Sequence, residues 1–231
     1  MQDSHHPFLL DLEGPCFIMC TEAPGPGGGG GGHDFPWTLL LIKALKKGRP
    51  VAIISANHNR EHFAVVLRRH GLDASRLEVA GLLQIQIVSF DGFQGWEEIL
   101  ENYAALSLFI DDLEALEAVT PSSVNSSYYR TFISSMFAKL HEGRLETLVA
   151  YGRCSDASLD DNDVTPTLTE FCKHRAQVVI HVEPLSSGRS HEAHGIVTIK
   201  RPLVSANGRE ERYTFKIGSG SKDEVTFHLR R

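Results

Sequence analysis

Through the first two-thirds of the chain, short apolar runs alternate with amphipathic stretches of helical length. Pro15-Cys16-Phe17-Ile18-Met19-Cys20 reads as a buried first strand. From Trp37 to Lys47, Leu40, Leu41, Ala44 and Leu45 share one helical face while Lys43, Lys46 and Lys47 turn to water. Gly48 stands where a helix-ending glycine belongs. Val51 to Ser55 is a second buried strand, and Asn57 or Asn59 can then cap a helix carrying Phe63, Val66 and Leu67 that stops at His70-Gly71. Leu82 to Ser89 alternates in part and predicts a third strand; Trp96 to Leu106 predicts a helix with Trp96, Ile99, Leu100 and Tyr103 inward. Leu106 to Ile110 is a fourth strand closed by Asp111-Asp112. A long helix follows Pro121, with Tyr129, Phe132, Ile133, Met136, Phe137 and Leu140 at helical spacing, and Leu145 to Tyr151 is a fifth strand.

The pattern then changes. Val178 to Val182, Gly195 to Lys200, Arg212 to Ile217 and Val225 to Leu229 are strands, and the last three leave no room for helices between them. Early βα alternation implies a parallel sheet, and the closing strands imply an antiparallel extension at one edge. The expected fold is α/β, a largely parallel central sheet flanked by helices with antiparallel C-terminal strands. At 231 residues it fits one domain spanning 1–231.

Composition narrows the function classes. With 42% hydrophobic and 23% charged residues the chain is an ordinary globule, and no apolar run approaches the ~18 residues of a membrane span. The stretch Met1 to Asp11 lacks a basic leader region, so a secretory signal is not expected. Cys16, Cys20, Cys154 and Cys172 form no C-x-x-C pair; Cys16 and Cys20 can face one side of the sheet, and reduced thiols point to a cytoplasmic or nuclear setting. A net charge of -6 argues against a chain that grips nucleic acid unaided. The charge is segregated: Lys43, Lys46, Lys47, Arg49, Arg60, Arg68, Arg69 and Arg76 meet only Glu61 and Asp73 locally. From Asp91 through Glu97, Glu98, Glu101, Asp111, Asp112 and Glu114 to Glu117 there is no base. Such segregation suits a subunit packed between unlike neighbours, and it also suits solvated helix faces.

Four constellations carry candidate chemistry. Gly25 to Gly32, in a loop over 24–36, sits between strand and helix where a phosphate-binding loop belongs. It lacks the Lys-Ser/Thr of G-x-x-x-x-G-K-[ST]; His33, Asp34, Phe35, Pro36 and Trp37 follow instead, and Asp34 would repel a phosphate. Asp111-Asp112 at the end of an apolar strand has the form of a Walker B acidic end, without a loop lysine or threonine to complete an ion site. His58-Asn59-Arg60-Glu61-His62 spells H-x-x-E-H. Its first histidine falls at a helix boundary after a buried strand, the wrong context for zinc, so no metal site is assigned and an ordinary exposed helix start is expected. The loop from Arg153 to Thr169, with Asp156, Asp160, Asp161 and Asp163, reads as solvated.

Set against known families, the chain resembles the sixth subunit of the Elongator complex along most of its length. Arg49 to Leu72 is similar to that family's second strand and following helix, Leu82 to Phe90 to its third strand, and Phe109-Ile110-Asp111-Asp112-Leu113 to its degenerate acidic strand end. Leu185-Ser186-Ser187-Gly188, His194-Gly195 and Val197 to Pro202 follow in the family's order, as do Tyr213 to Ile217 and Val225 to Phe227. The glycine tract departs from the family's pattern. The resemblance implies a RecA-like, P-loop NTPase-type fold with degenerate Walker motifs, no enzymatic activity, no cofactor and no nucleotide site. It also implies a heterohexameric ring with two sibling RecA-like subunits, the fourth and fifth. That ring binds tRNA and supports carboxymethyl-type modification of the wobble uridine, with the chemistry in a separate catalytic subcomplex. Should this chain touch tRNA, Arg153, Lys173 and Arg175 are the nearest basic candidates. The competing expectation is an active RecA or clock-type ATPase using Asp111 or Asp112 with a non-standard loop; a metal enzyme on His58 and His62 is a third.

Overall fold

The structure, a computed structural model, describes residues 15–23, 35–88, 106–119, 127–154, 167–185, 193–202, 209–218 and 225–230. Within them the strands β1 (Cys16–Glu22), β2 (Val51–Ser55) and β4 (Leu106–Asp111) are buried at every position. Continuous apolar sequence is what strands covered on both faces require. They join β3 (Leu83–Ile87), β5 (Leu145–Arg153), β6 (Val178–Pro184), β7 (Gly195–Arg201), β8 (Arg209–Ile217) and β9 (Val225–Leu229) in one sheet of order β3-β2-β4-β5-β1-β6-β7-β8-β9. The five pairings from β3 to β6 are parallel and the three from β6 to β9 antiparallel. The expected sheet, with its antiparallel extension at one edge, is thus the observed one.

Two helical layers cover it. On one face α1 (Phe35–Lys46) and α2 (Arg60–Arg69) bury Leu41, Leu45, Phe63 and Leu67 against Ile18, Ile53, Phe109 and Val149. On the other, α5 (Ser127–His141) buries Ile133, Met136 and Leu140 against Phe17, Met19, Ile54 and Ile110. Alternation along β1 sends Cys16 and Cys20 to the α1 face together, as their spacing predicts. Both are free thiols, and burial pushes Cys16 up to about 11.

Local signals account for the helix ends. Asn59 caps α2, its side chain accepting the His62 N–H at 2.9 Å, which settles the choice between Asn57 and Asn59. Gly48 and Gly71 follow α1 and α2 at φ 70° and 76°, left-handed positions that favour glycine. Pro36 lies in the first turn of α1, where its missing N–H breaks no helical bond. Three short helices complete the described residues: α3 (Ala74–Val79), α4 (Leu113–Ala118) and α6 (Leu168–Lys173), capped by Asp73, Asp112 and Thr167. Six residues are too few to show a helical period, so α3, α4 and α6 are absent from the sequence expectation. Elsewhere the structure adjusts boundaries: β3 stops at Ile87, β5 continues to Arg153, β8 opens at Arg209, and α5 begins at Ser127. The Gly25–Gly32 tract, most of the helix expected from Trp96, and the interior of the Arg153–Thr169 loop lie outside the described residues. None of the described helices is long and apolar enough to cross a membrane.

Gly195 opens β7 opposite the fully buried Phe215. A Cβ there would lie 2.6 Å from the Glu183 carbonyl oxygen and 2.6 Å from the Phe215 ring. Neither backbone nor a locked ring can yield cheaply, so Gly195→Ala is expected to cost about 1–3 kcal/mol. A lowered urea midpoint at unchanged m-value would report it.

Candidate functional site

In a parallel sheet all strands present their carboxyl ends to one edge, and ligands of open α/β sheets bind outside that edge. Here the strand ends supply Glu22 from β1, Ser55 from β2, Asp111 from β4 with Asp112 next to it, and Tyr151 and Arg153 from β5. The indole N–H of Trp37 donates to the Ile110 carbonyl at 3.1 Å, which brings the start of α1 to the same edge.

Each carboxylate is engaged by the protein itself. Asp111, 3% exposed, stands level with Ser55 in the β2–β4 register. It accepts the Ser55 hydroxyl at 2.8 Å, and its Oδ2 lies 2.7 Å from His58 Nδ1. The Ser55 oxygen in turn accepts the His58 backbone N–H at 2.9 Å, closing a small ring of bonds. Asp112 adopts φ 58°, the one positive-φ non-glycine among the described residues. Its side chain caps α4 through the Ala115 N–H at 3.1 Å and lies 3.4 Å from Arg153 Nη2. Glu22 accepts the Tyr151 hydroxyl at 2.6 Å, with both residues buried. Glu114, at the start of α4, accepts the Arg153 backbone N–H at 2.8 Å and the Thr169 hydroxyl of α6. Burial raises the Glu114 carboxyl above its ordinary range, and these hydrogen bonds pull it partly back.

The H-x-x-E-H string is a helix start with Asn59, Arg60 and Glu61 exposed, as expected, but its two histidines turn inward. His58 is half-buried against Asp111, and the His62 ring stacks on it at 3.9 Å with 18° between planes. Among the described residues no group of three or more His, Cys, Asp or Glu side chains is placed to hold a metal ion. The partnership of Asp111 with His58 and Ser55 is what sequence reasoning missed. Its signal was a buried strand ending in Ser, three residues before a His, beside a strand ending in Asp.

Of the basic candidates, Arg153 lies at the carboxyl edge, paired with Asp112. Lys173, at the end of the six-residue α6, stays close enough to act on Cys154, the residue after Arg153, and Arg175 lies in the turn before β6. Lys173 pairs with Glu170 at 3.3 Å, and the Arg175 guanidinium lies 3.8 Å over the Phe171 ring. Among the described residues the carboxyl edge thus gathers Glu22, Asp111, Asp112 and Glu114 around Arg153, with Arg60 at the start of α2 paired to Glu78. The hydroxyls of Thr21 and Ser55 are bonded to His181 and Asp111.

No protein-family model matches the chain, and no curated protein does. Solved structures do match. One is the KaiC-like protein PH0186 from the hyperthermophilic archaeon Pyrococcus horikoshii OT3, 13% identical, with a TM-score of 0.61 over 93% of this chain and 90% of that one. Together with the mostly parallel sheet and its flanking helices, this likeness defines the class as a RecA-like α/β fold. At that identity it defines the fold alone.

Burial lowers the His62 pKa from its ordinary 6.5, the neighbouring His58 lowers it further, and Asp111 opposes both. A base whose folded-state pKa is depressed adds stability above its ordinary value and loses it as pH falls below. His62→Phe keeps a ring on His58 and removes the titration. Denaturant melts between pH 7 and about pH 5 are expected to fall less steeply in this variant than in the wild type. Equal slopes would show that His62 carries no such linkage.

Proposed function

We propose that this chain is a non-catalytic ring subunit like the sixth subunit of Elongator. In this reading it joins two sibling RecA-like subunits, the fourth and fifth, in a heterohexamer of the cytoplasm and nucleus. The ring binds tRNA and supports carboxymethyl-type modification of the wobble uridine by the catalytic subcomplex. The observation that carries the non-catalytic part is the state of the carboxyl edge. Asp111 and Asp112, the acids a nucleotide site would spend on magnesium, are bonded to Ser55, His58, the α4 start and Arg153. The buried Glu22 at the end of β1 adds negative charge where a phosphate would need neutralising. Degenerate Walker motifs are consistent with that wiring. The subunit assignment itself rests on the order of resembling segments from Arg49 to Phe227.

Affinity purification of the tagged chain is expected to recover two further RecA-like proteins. Deletion of its gene is expected to deplete carboxymethyl-type wobble nucleosides measured by mass spectrometry of tRNA. Recovery as a lone monomer, or unchanged nucleosides, would overturn the assignment.

A second reading is an active RecA or clock-type ATPase with a non-standard loop. Its support is the Asp111-Asp112 pair, which closes an apolar parallel strand at the ligand edge of the sheet. Steady-state ATP hydrolysis by wild type and Asp112→Ala separates the two. Background rates in both support the ring subunit, and a wild-type rate abolished by the substitution establishes the ATPase.

A further inference from the structure

The amino edge of the parallel sheet has the opposite chemistry. Lys46 and Lys47 are exposed where α1 turns into β2, and Arg68 and Arg69 are exposed where α2 ends. Arg144 is exposed in the turn before β5, and His174 and Arg175 before β6. Backbone bonds hold these turns to one edge: Val51 N–H to the Leu82 carbonyl at 3.0 Å, Ser107 N–H to Pro50 at 2.9 Å, and Gln177 N–H to Phe17 at 3.0 Å. Arg49 pairs with Glu146, tying the α1–β2 turn to the start of β5.

The acids nearby are largely committed. Glu146 pairs with Arg49, Asp73 with Arg76 and Glu78 with Arg60, leaving Glu142 as an exposed acid beside Arg144. Among the described residues, Lys46, Lys47, Arg68, Arg69 and Arg144 form no ion pair. Attraction to helix carboxyl ends accounts for Lys46, Arg68 and Arg69 one at a time. It extends to Lys47 and Arg144, whose N–H groups close the last turns on the Lys43 and Lys139 carbonyls, but it does not account for the mutual repulsion of gathering all five on one edge.

We propose that this amino edge contacts the phosphate backbone of RNA. From β2 to β6 it spans four strand spacings, roughly 19 Å, enough to follow several consecutive phosphates. Lysine ammoniums and arginine forks on long flexible stems both suit phosphate oxygens, the first as point charges and the second as paired donors. An interface with an acidic protein would need an apolar centre. Of the exposed large apolar side chains among the described residues, only Val79 sits at this edge, while Ile87, Tyr128 and Leu229 lie elsewhere and Val65 is mid-helix on α2. Such contacts position RNA without reading its sequence. The inference rests on the reading that the assembly handles tRNA, and it moves the contact away from Arg153.

The test uses the full chain and fluorescently labelled tRNA, with affinity measured across a salt series. One variant carries Lys46→Gln, Lys47→Gln, Arg68→Gln and Arg69→Gln. A control carries Lys200→Gln, Arg212→Gln, Lys216→Gln and Arg230→Gln, the same charge change placed on β7–β9 and the residue after β9. Matching thermal melts certify both folds. The amino-edge variant is expected to bind about tenfold or more weaker, with a log–log salt slope smaller by about 3, and the control within about twofold of wild type. Equal losses in both variants, or no binding by wild type, would overturn the proposal. So would unchanged RNA affinity with loss of protein partners, which would make this edge a protein interface. Partner recovery with wild type is scored separately, so a ring that assembles without this contact leaves the subunit assignment standing.

Discussion

The parallel pairing of β1 with both β5 and β6 fixes the direction of everything else in the molecule. A strand that runs parallel to its neighbour has to be reached by a connection that travels back along the sheet. Hence α1, α2, α5 and α6 all end at the edge where strands begin. Helix starts gather at the opposite edge, with their partial positive charge, and helix ends gather at this one with the negative. The side chains answer both. Basic residues close α1, α2, α5 and α6, while Glu61, Glu114 and Glu170 stand in the first turns of α2, α4 and α6.

At the carboxyl edge this arrangement goes further than dipole matching. Burying a lone carboxylate costs several kcal/mol, and removing one partner of a buried charge leaves that cost uncompensated. Asp111 meets it with a hydroxyl and an imidazole, and Glu22 with a phenol. Asp112 accepts a left-handed backbone, a strain of about 1–3 kcal/mol for a non-glycine residue, in return for a helix cap and a guanidinium. These bonds stitch β2 to β4, β1 to β5, and β5 to α4 and α6. The carboxylates are therefore structural rivets first, and releasing one to hold an ion would loosen the strand end it secures.

The sheet was largely legible because its strands are continuous apolar runs, a signal that needs no knowledge of partners. Helix caps were legible for the same local reason at Asn59 and Gly48. What escaped was anything assembled across the chain. Ser55, His58 and Asp111 are brought together by the β2–β4 register, which no short-range pattern encodes. Arg153, Lys173 and Arg175 flank one loop in the sequence; Lys173 stays within electrostatic reach of Cys154, while Arg175 lies in the turn that leads into β6. The H-x-x-E-H string suggested two histidines sharing a role; they do share one, as a stack under Asp111. The short helices α3 and α4 escaped because caps at Asp73 and Asp112 mark them more clearly than their six-residue periods.

A RecA-like sheet fixes where a ligand would bind and leaves open what the edge can hold, since chemistry resides in side chains and not in topology. In this chain the usual ligand edge carries four carboxylates engaged by the fold, and the opposite edge carries Lys46, Lys47, Arg68, Arg69 and Arg144, which form no ion pair among the described residues. An anionic partner drawn to the molecule is therefore steered to the amino edge and repelled from the carboxyl edge. Strand-end acids held in internal bonds are engaged on the side where a metal ion would ask for them, and basic residues at the helix ends set the charge of the other edge.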